Sequence, residues 1–173
     1  MRVKTCPACR EKFTPERPLQ QACSVPRAIT HTQAIKAKRE AKANREARTK
    51  AKTRQQWLKE AQAAFNAWIR KRDEHQPCIS CGRHHQGQYH AGHYRSTKAA
   101  PELRFNEVNV HKQCSACNTH LSGNIVEYRK RLIDKISIWW VDWLEGPHEP
   151  NKYTIDDLKG IKAEYLKRMK GNV

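Results

Sequence analysis

The chain has 173 residues, with 34 Lys plus Arg against 17 Asp plus Glu, so its formal net charge is +17. At ~100 to 200 residues per domain this excludes two full domains, and the basic surplus points to a polyanionic partner, with nucleic acid the leading candidate. No window approaches the ~18 apolar residues of a membrane span and "MRVKTCPACR" lacks the apolar centre of a signal peptide, so a soluble cytoplasmic protein with no membrane partner is expected.

Residues 1–31 place Cys6, Cys9 and Cys23 among Pro7, Pro15, Pro18 and Pro26, too many prolines for one continuous helix. An irregular Cys-rich module is expected there. From Thr30 to about Glu74 Gly and Pro are absent and Ala, Lys, Arg, Gln and Glu dominate, which predicts one long helix. Its first part, the arm over 32–56, carries Lys36, Lys38, Arg39, Lys42, Arg45, Arg48, Lys50, Lys52 and Arg54 against Glu40 and Glu46. Such a run is either a solvated face or a phosphate-contacting one; the charge of the whole chain favours DNA contact.

Trp57, Ala61, Ala64, Phe65, Trp68 and Ile69 then recur at helical spacing, so a globular domain is expected over 57–145. "GQYHAGHY" reads as a strand, and "SGNIVEYRKRLIDKI" as a helix with Ile125, Tyr128, Leu132, Ile133 and Ile136 on one side. "SIWWVDWL" reads as its buried continuation, because Trp139, Trp140 and Trp143 are strongly apolar. Gly146, Pro147 and Pro150 interrupt the chain, and Thr154 with Asp157 starts a last helix within 146–173.

With only 38% hydrophobic residues and a mean hydropathy of -0.95, the domain is short of core and needs a staple. Cys78-x2-Cys81 and Cys114-x2-Cys117 supply four thiolates in two knuckles, the ligand set of tetrahedral structural zinc. A redox dithiol is the rival reading, but the thioredoxin-like strand-then-helix context is missing. A closed four-sulfur site performs no hydrolysis, so any catalysis falls to the residues threaded between the knuckles. These include His84, His85, His90, His93, Asn106, Asn109 and His111, with Asn118 directly after Cys117. His111 and His120 have packing as their default role.

Histidine and asparagine around paired Cys-x-x-Cys knuckles resemble the His-Me finger, or HNH, nucleases. "PCISCGR", "AGHYRS", "LRFNEVNVHKQCSACN" and "LSGNIVEYR" look more closely like the NinG/Rap family of lambdoid phage recombination endonucleases, with "RQQWLKEAQAAFNAWIRKRD" and "CPACREKFTPERPLQQACS" extending the match. The resemblance implies a structure-specific endonuclease acting on Holliday junctions and D-loops, with Mg²⁺ or Mn²⁺ as catalytic cofactor. It implies His93 as general base, Asn109 as the residue pinning its loop, and Asn118 as metal ligand. Near neutral pH an imidazole can take a proton from water, and an amide oxygen suits a hard cation. Arg95 and Lys98 follow the histidine and are candidates for gripping phosphate.

Two positions depart from the family pattern. Gly92 stands where many such sites carry a metal ligand. His90 is a substitute only if a bulge brings it to the face of His93, and Glu102 and Glu107 are weaker ones. In the N-terminal module a fourth cysteine is missing, so either His31 completes a second zinc site with Cys6, Cys9 and Cys23 or the metal is lost.

The expected fold is therefore mostly α with a small β-hairpin: a zinc-stapled ββα core, a long basic N-terminal helix and C-terminal helices. Branched DNA, a second copy in a homodimer and host or phage recombination proteins are the expected partners. The rival function is a non-catalytic zinc-knuckle DNA-binding recombination mediator.

Overall fold

A computed structural model describes residues 2–171. The molecule is mostly helical with two small antiparallel hairpins, and it divides into two units at the Lys52–Thr53 bond.

In the first unit, β1 (Lys4–Thr5) pairs with β2 (Lys12–Phe13), and a tight turn at Cys6 to Arg10 joins them. The Arg10 N–H donates to the Cys6 carbonyl at 2.8 Å. Helix α1 (Val25–Lys50) comes next, with Ser24 as its N-cap and Pro26 in its first turn, where a missing N–H costs nothing. It starts inside the stretch expected to be irregular, because Pro26 initiates the helix instead of breaking it. None of its residues is buried.

The single helix expected over Thr30–Glu74 is in fact two. α1 ends at Lys50, and α2 (Arg54–Arg72) starts afresh at Thr53, whose hydroxyl accepts from Gln56 N–H while the Gln56 side chain accepts from Thr53 N–H. This reciprocal pairing satisfies two helix-end donors at once and fixes a new start. Arg54 thus opens the second helix, and its Nε donates to the Tyr153 carbonyl at 2.7 Å.

In the second unit α2 buries Trp57, Ala61, Ala64, Phe65 and Ile69 against α5 (Ile155–Met169), which contributes Leu158 and Tyr165. Between them in sequence lie β3 (Tyr89–His93), β4 (Val110–Cys114), α3 (Ile125–Ile136) and α4 (Ile138–Glu145). β3 and β4 pair antiparallel in unbroken register from Tyr89↔Cys114 to His93↔Val110. A second core of Ile79, Tyr94, Leu103, Tyr128, Leu132, Val141 and Leu144 lies between the hairpin, α3 and α4.

Asp73, at the end of α2, ties these layers. It is buried, its carboxylate accepts from Arg72 Nε and Nη2 at 2.8 Å and from Lys112 N–H at 3.0 Å, and Lys135 Nζ stands 3.6 Å away. Arg72 also donates to the Glu107 and Val110 carbonyls.

The tryptophans of α4 correct a second expectation. Val141 and Leu144 are buried, but Trp139, Trp140 and Trp143 remain 65%, 40% and 38% exposed. An eight-residue helix packed through one face has room inside for only two of its apolar side chains.

Candidate active site and cysteine staple

Cys78, Cys81, Cys114 and Cys117 bring their sulfurs within 4.8 Å of one another. A tetrahedron with ~2.3 Å zinc–sulfur bonds needs sulfurs on the order of 3.8 Å apart, so the group fits a zinc ion with little adjustment. The first knuckle turns at Gly82, whose φ of +69° is the left-handed conformation that favours glycine. Its N–H donates to the Cys78 carbonyl at 2.8 Å. Cys114 N–H donates to Cys78 Sγ and Asn124 Nδ2 to Cys117 Sγ, at 3.3 and 3.7 Å. Burial pushes the Cys117 thiol up to about 12. Sulfur so placed carries negative charge comfortably only against a cation. His85, which nothing in the residue spacing singles out, has Nε2 3.1 Å from Cys81 Sγ.

In the first unit Cys6, Cys9 and Cys23 form a second group that could hold zinc, with Cys9 and Cys23 sulfurs 3.6 Å apart. His31 stands outside this group. A further donor close by is Glu11, whose carboxylate lies 3.6 Å from Cys9 Sγ.

The two C-terminal knuckles flank the hairpin. The second one continues from β4 into a π-helical turn, Ala116–His120, closed by Leu121 N–H donating to the Ala116 carbonyl at 3.0 Å. Such wide turns are rare and occur frequently at functional sites. Asn118 sits on it and borders a cleft of about 660 Å³ that His93, Arg95, Arg104, Gln62 and Asn66 also line.

Each wall of that cleft is fixed from behind. His93 closes β3, and its Nε2 lies 3.0 Å from the Arg104 carbonyl. A carbonyl only accepts, so Nε2 carries the proton and Nδ1 is left as the basic nitrogen. Burial lowers the His93 pKa below its ordinary 6.5; hydrogen bonding to the Arg104 and Ala91 backbone opposes this and the Arg104 charge adds to it. Arg104 Nη1 donates to Gln62 Oε1 at 3.2 Å. The Arg95 Nε is buried and has no hydrogen-bond partner among the described residues.

Asn109 is fully buried. Its amide accepts from Arg95 N–H at 2.8 Å and donates to the Arg95 and Leu103 carbonyls at 3.0 and 3.1 Å. One side chain thus holds both ends of the loop after His93.

His90 faces a hollow next to the cleft, also bordered by Asn118 and Arg70. The Asn118 amide nitrogen donates to His90 Nδ1 at 2.9 Å. Unbroken pairing leaves no bulge in β3, so His90 and His93 project to opposite faces, His90 does not join His93 as the expected metal ligand, and Asn66, Ala91 and Asn118 border both hollows. A Cβ on Gly92 would run into the side chain of Gln113, which is buried and donates to Ser80 Oγ at 2.6 Å. A metal-ligating side chain has no room there. Glu107 is engaged by Tyr165 and Arg168, and Lys98 is exposed.

His111 is buried against Tyr128 and does not border the cleft. The basic residues from Lys36 to Lys50 lie exposed along α1. Arg104, Gln62 and Arg70 were not legible as site residues, because they reach the cleft only through tertiary packing.

The sequence profile of the family described as Bacteriophage Lambda NinG protein matches residues 1–172. The chain is 54% identical over 119 residues to Protein ninG of Escherichia phage lambda, covering 69% of this chain and 58% of that protein. It is 53% identical over the same length to Protein ninG of Salmonella phage P22, covering 69% of this chain and 59% of the relative. The match therefore spans about three fifths of the length of these curated relatives. No solved structure matches. No helix among the described residues is long and apolar enough to cross a membrane.

Proposed function

The chain belongs to the NinG family of bacteriophage proteins, and on that premise we propose that it is a structure-specific DNA endonuclease with a zinc-stapled ββα core, cutting branched recombination intermediates by metal-assisted phosphodiester hydrolysis. The observation that carries this reading is the convergence of His93, Arg95, Arg104 and Asn118 on one cleft beside the four-cysteine group.

His93, neutral at physiological pH, takes a proton at Nδ1 from a water that attacks phosphorus. The Arg95 and Arg104 guanidiniums balance charge on the phosphate as the bond to the departing 3′ oxygen lengthens. Asn109 does no chemistry and holds the loop between them.

Asn118 is the residue of the cleft that would hold the divalent cation, through the amide oxygen that its bond to His90 leaves free. Such an ion, when bound, neutralises the scissile phosphate and the leaving oxygen. Asn118 supplies one amide oxygen, and no group of three His, Cys, Asp or Glu donors borders the cleft among the described residues. That suits a cation that keeps most of its waters and is completed by substrate phosphate, as Mg²⁺ or Mn²⁺ does. The exposed cations of α1 would contact duplex phosphates, making binding strongly salt-dependent and largely indifferent to sequence.

The sparse donor set also favours a second reading, a zinc-stapled DNA-binding protein without catalysis. A synthetic four-way junction with Mn²⁺ or Mg²⁺ separates the two. Wild type should cut it, and His93→Ala should bind equally well but cut about 10² to 10⁴-fold more slowly. A wild type that binds and never cuts leaves the binding protein standing; equal cutting by the variant removes His93 as the base.

A further inference from the structure

We infer that the exposed aromatic face of α4 is the contact surface between two copies of this chain. Trp139 and Trp140 meet edge to face with centroids 4.9 Å apart, Trp140 and Trp143 at 5.7 Å, and Trp143 and His148 at 4.6 Å. The rings form a ladder whose members brace one another, with Ile138 exposed beside them.

At their fractional exposures the three indoles present roughly 300 Å² per copy. Contiguous apolar surface of this extent is comparable to the largest patch that a typical monomer exposes, and such patches are often functional. A stable interface covers about 800 Å² per partner, so the ladder would form its buried centre, the position where tryptophan contributes most.

Charge selects the occupant. From Lys135 to Lys152 the sequence has no intervening Lys or Arg, but it has Asp142, Glu145 and Glu149. A base-stacking platform for DNA keeps cations beside its aromatic rings for the phosphates, and here the ladder's own stretch supplies none. Two chains of +17 repel each other except where the surface is near neutral. Arg129 creates that condition from below. Its Nε and Nη2 pair with the Glu145 carboxylate at 2.8 and 3.1 Å, and Asp142 lies 3.7 Å from Nη2. The acids of one copy are thereby offset before a second copy arrives. A two-fold contact brings the same patch from both sides, and edge-to-face rings are complementary to themselves.

The face is also tied to the cleft. Tyr94, next in sequence to His93, donates its hydroxyl to Glu145 of α4. Dimerisation itself does not rest on the nuclease reading, and its test needs no cleavage.

Sedimentation equilibrium of the zinc-loaded 173-residue chain in the micromolar range should give twice the chain mass, and raising salt should not dissociate it. The double substitution Trp139→Ser, Trp143→Ser should weaken association at least tenfold with circular dichroism and zinc content unchanged. Asp142→Arg, at an exposed position, should weaken it too by putting like charge on the face. A wild type that stays monomeric overturns the inference, and so do variants that dimerise as tightly as wild type. A monomer whose tryptophan fluorescence is quenched by unpaired DNA would make the ladder a base-stacking surface instead.

Discussion

His93 Nε2 and the backbone carbonyl of Arg104 stand 3.0 Å apart, so the residue that fixes the imidazole also places a guanidinium in the same cleft. The carbonyl survives any substitution at 104, whereas the charge does not. With burial and that charge both lowering the His93 pKa, the acid limb of cleavage should fall below the ordinary ~6.5 and the rate should be level at neutral pH. Arg104→Gln removes a positive neighbour, so imidazolium becomes easier to form and the limb should move upward. The plateau rate should drop about ten- to hundredfold as the phosphate loses a cation, with partial recovery in Arg104→Lys. A pH–rate profile of the three proteins checks both parts.

Asp73 should be a strong determinant of stability. Removing it leaves Arg72 and Lys135 facing each other beside a buried Lys112 N–H, so Asp73→Ala should cost about 3 kcal/mol. Burial would raise its pKa, but Arg72, the Lys112 N–H and Lys135 outweigh that and hold it below the usual carboxylate value. The stability it contributes is therefore fully present above the unfolded value of ~3.9 and is lost as pH falls through the lower folded one. Urea titrations of wild type and variant should differ at pH 7 and converge in strong acid.

Zinc should be inseparable from the fold of the second unit. Cys78 and Cys81 precede the hairpin, Cys114 ends it and Cys117 lies in the turn carrying Asn118, so one ion would join all these segments at a single point. Chelation, or Cys114→Ser, should abolish the cooperative unfolding transition seen by circular dichroism. Elemental analysis should find zinc lost from Cys114→Ser while any metal on Cys6, Cys9 and Cys23 is retained.

The cysteine pairs, the hairpin and the apolar faces of α2 and α3 were legible because each is encoded in spacing: Cys-x-x-Cys, alternation in "YHAGHY", and helical recurrence from Trp57 to Ile69. The end of α1 was encoded as well, in Thr53-x-x-Gln56, but uniformly high helix propensity on both sides concealed it. The tryptophans misled because hydrophobicity says that a side chain leaves water, without saying whether its own chain or another receives it. Arg104 and Asp73 lay beyond reach for a different reason. Their roles depend on partners 11 to 42 residues away in sequence, at His93, Gln62 and Lys112, which only the packing brings near.

The reciprocal cap at Thr53 has a practical meaning for how this chain can be handled. Among the described backbone hydrogen bonds none spans the Lys52–Thr53 junction: Lys52 N–H turns back to Thr49, and Trp57 N–H reaches Thr53. A chain opened there keeps the hydrogen bonds that finish each helix, Ala51 N–H to the Ala47 carbonyl and the Thr53–Gln56 pair. The start of α2 is thus written in its own residues, and exchanging Thr53 or Gln56 is what would unfasten it.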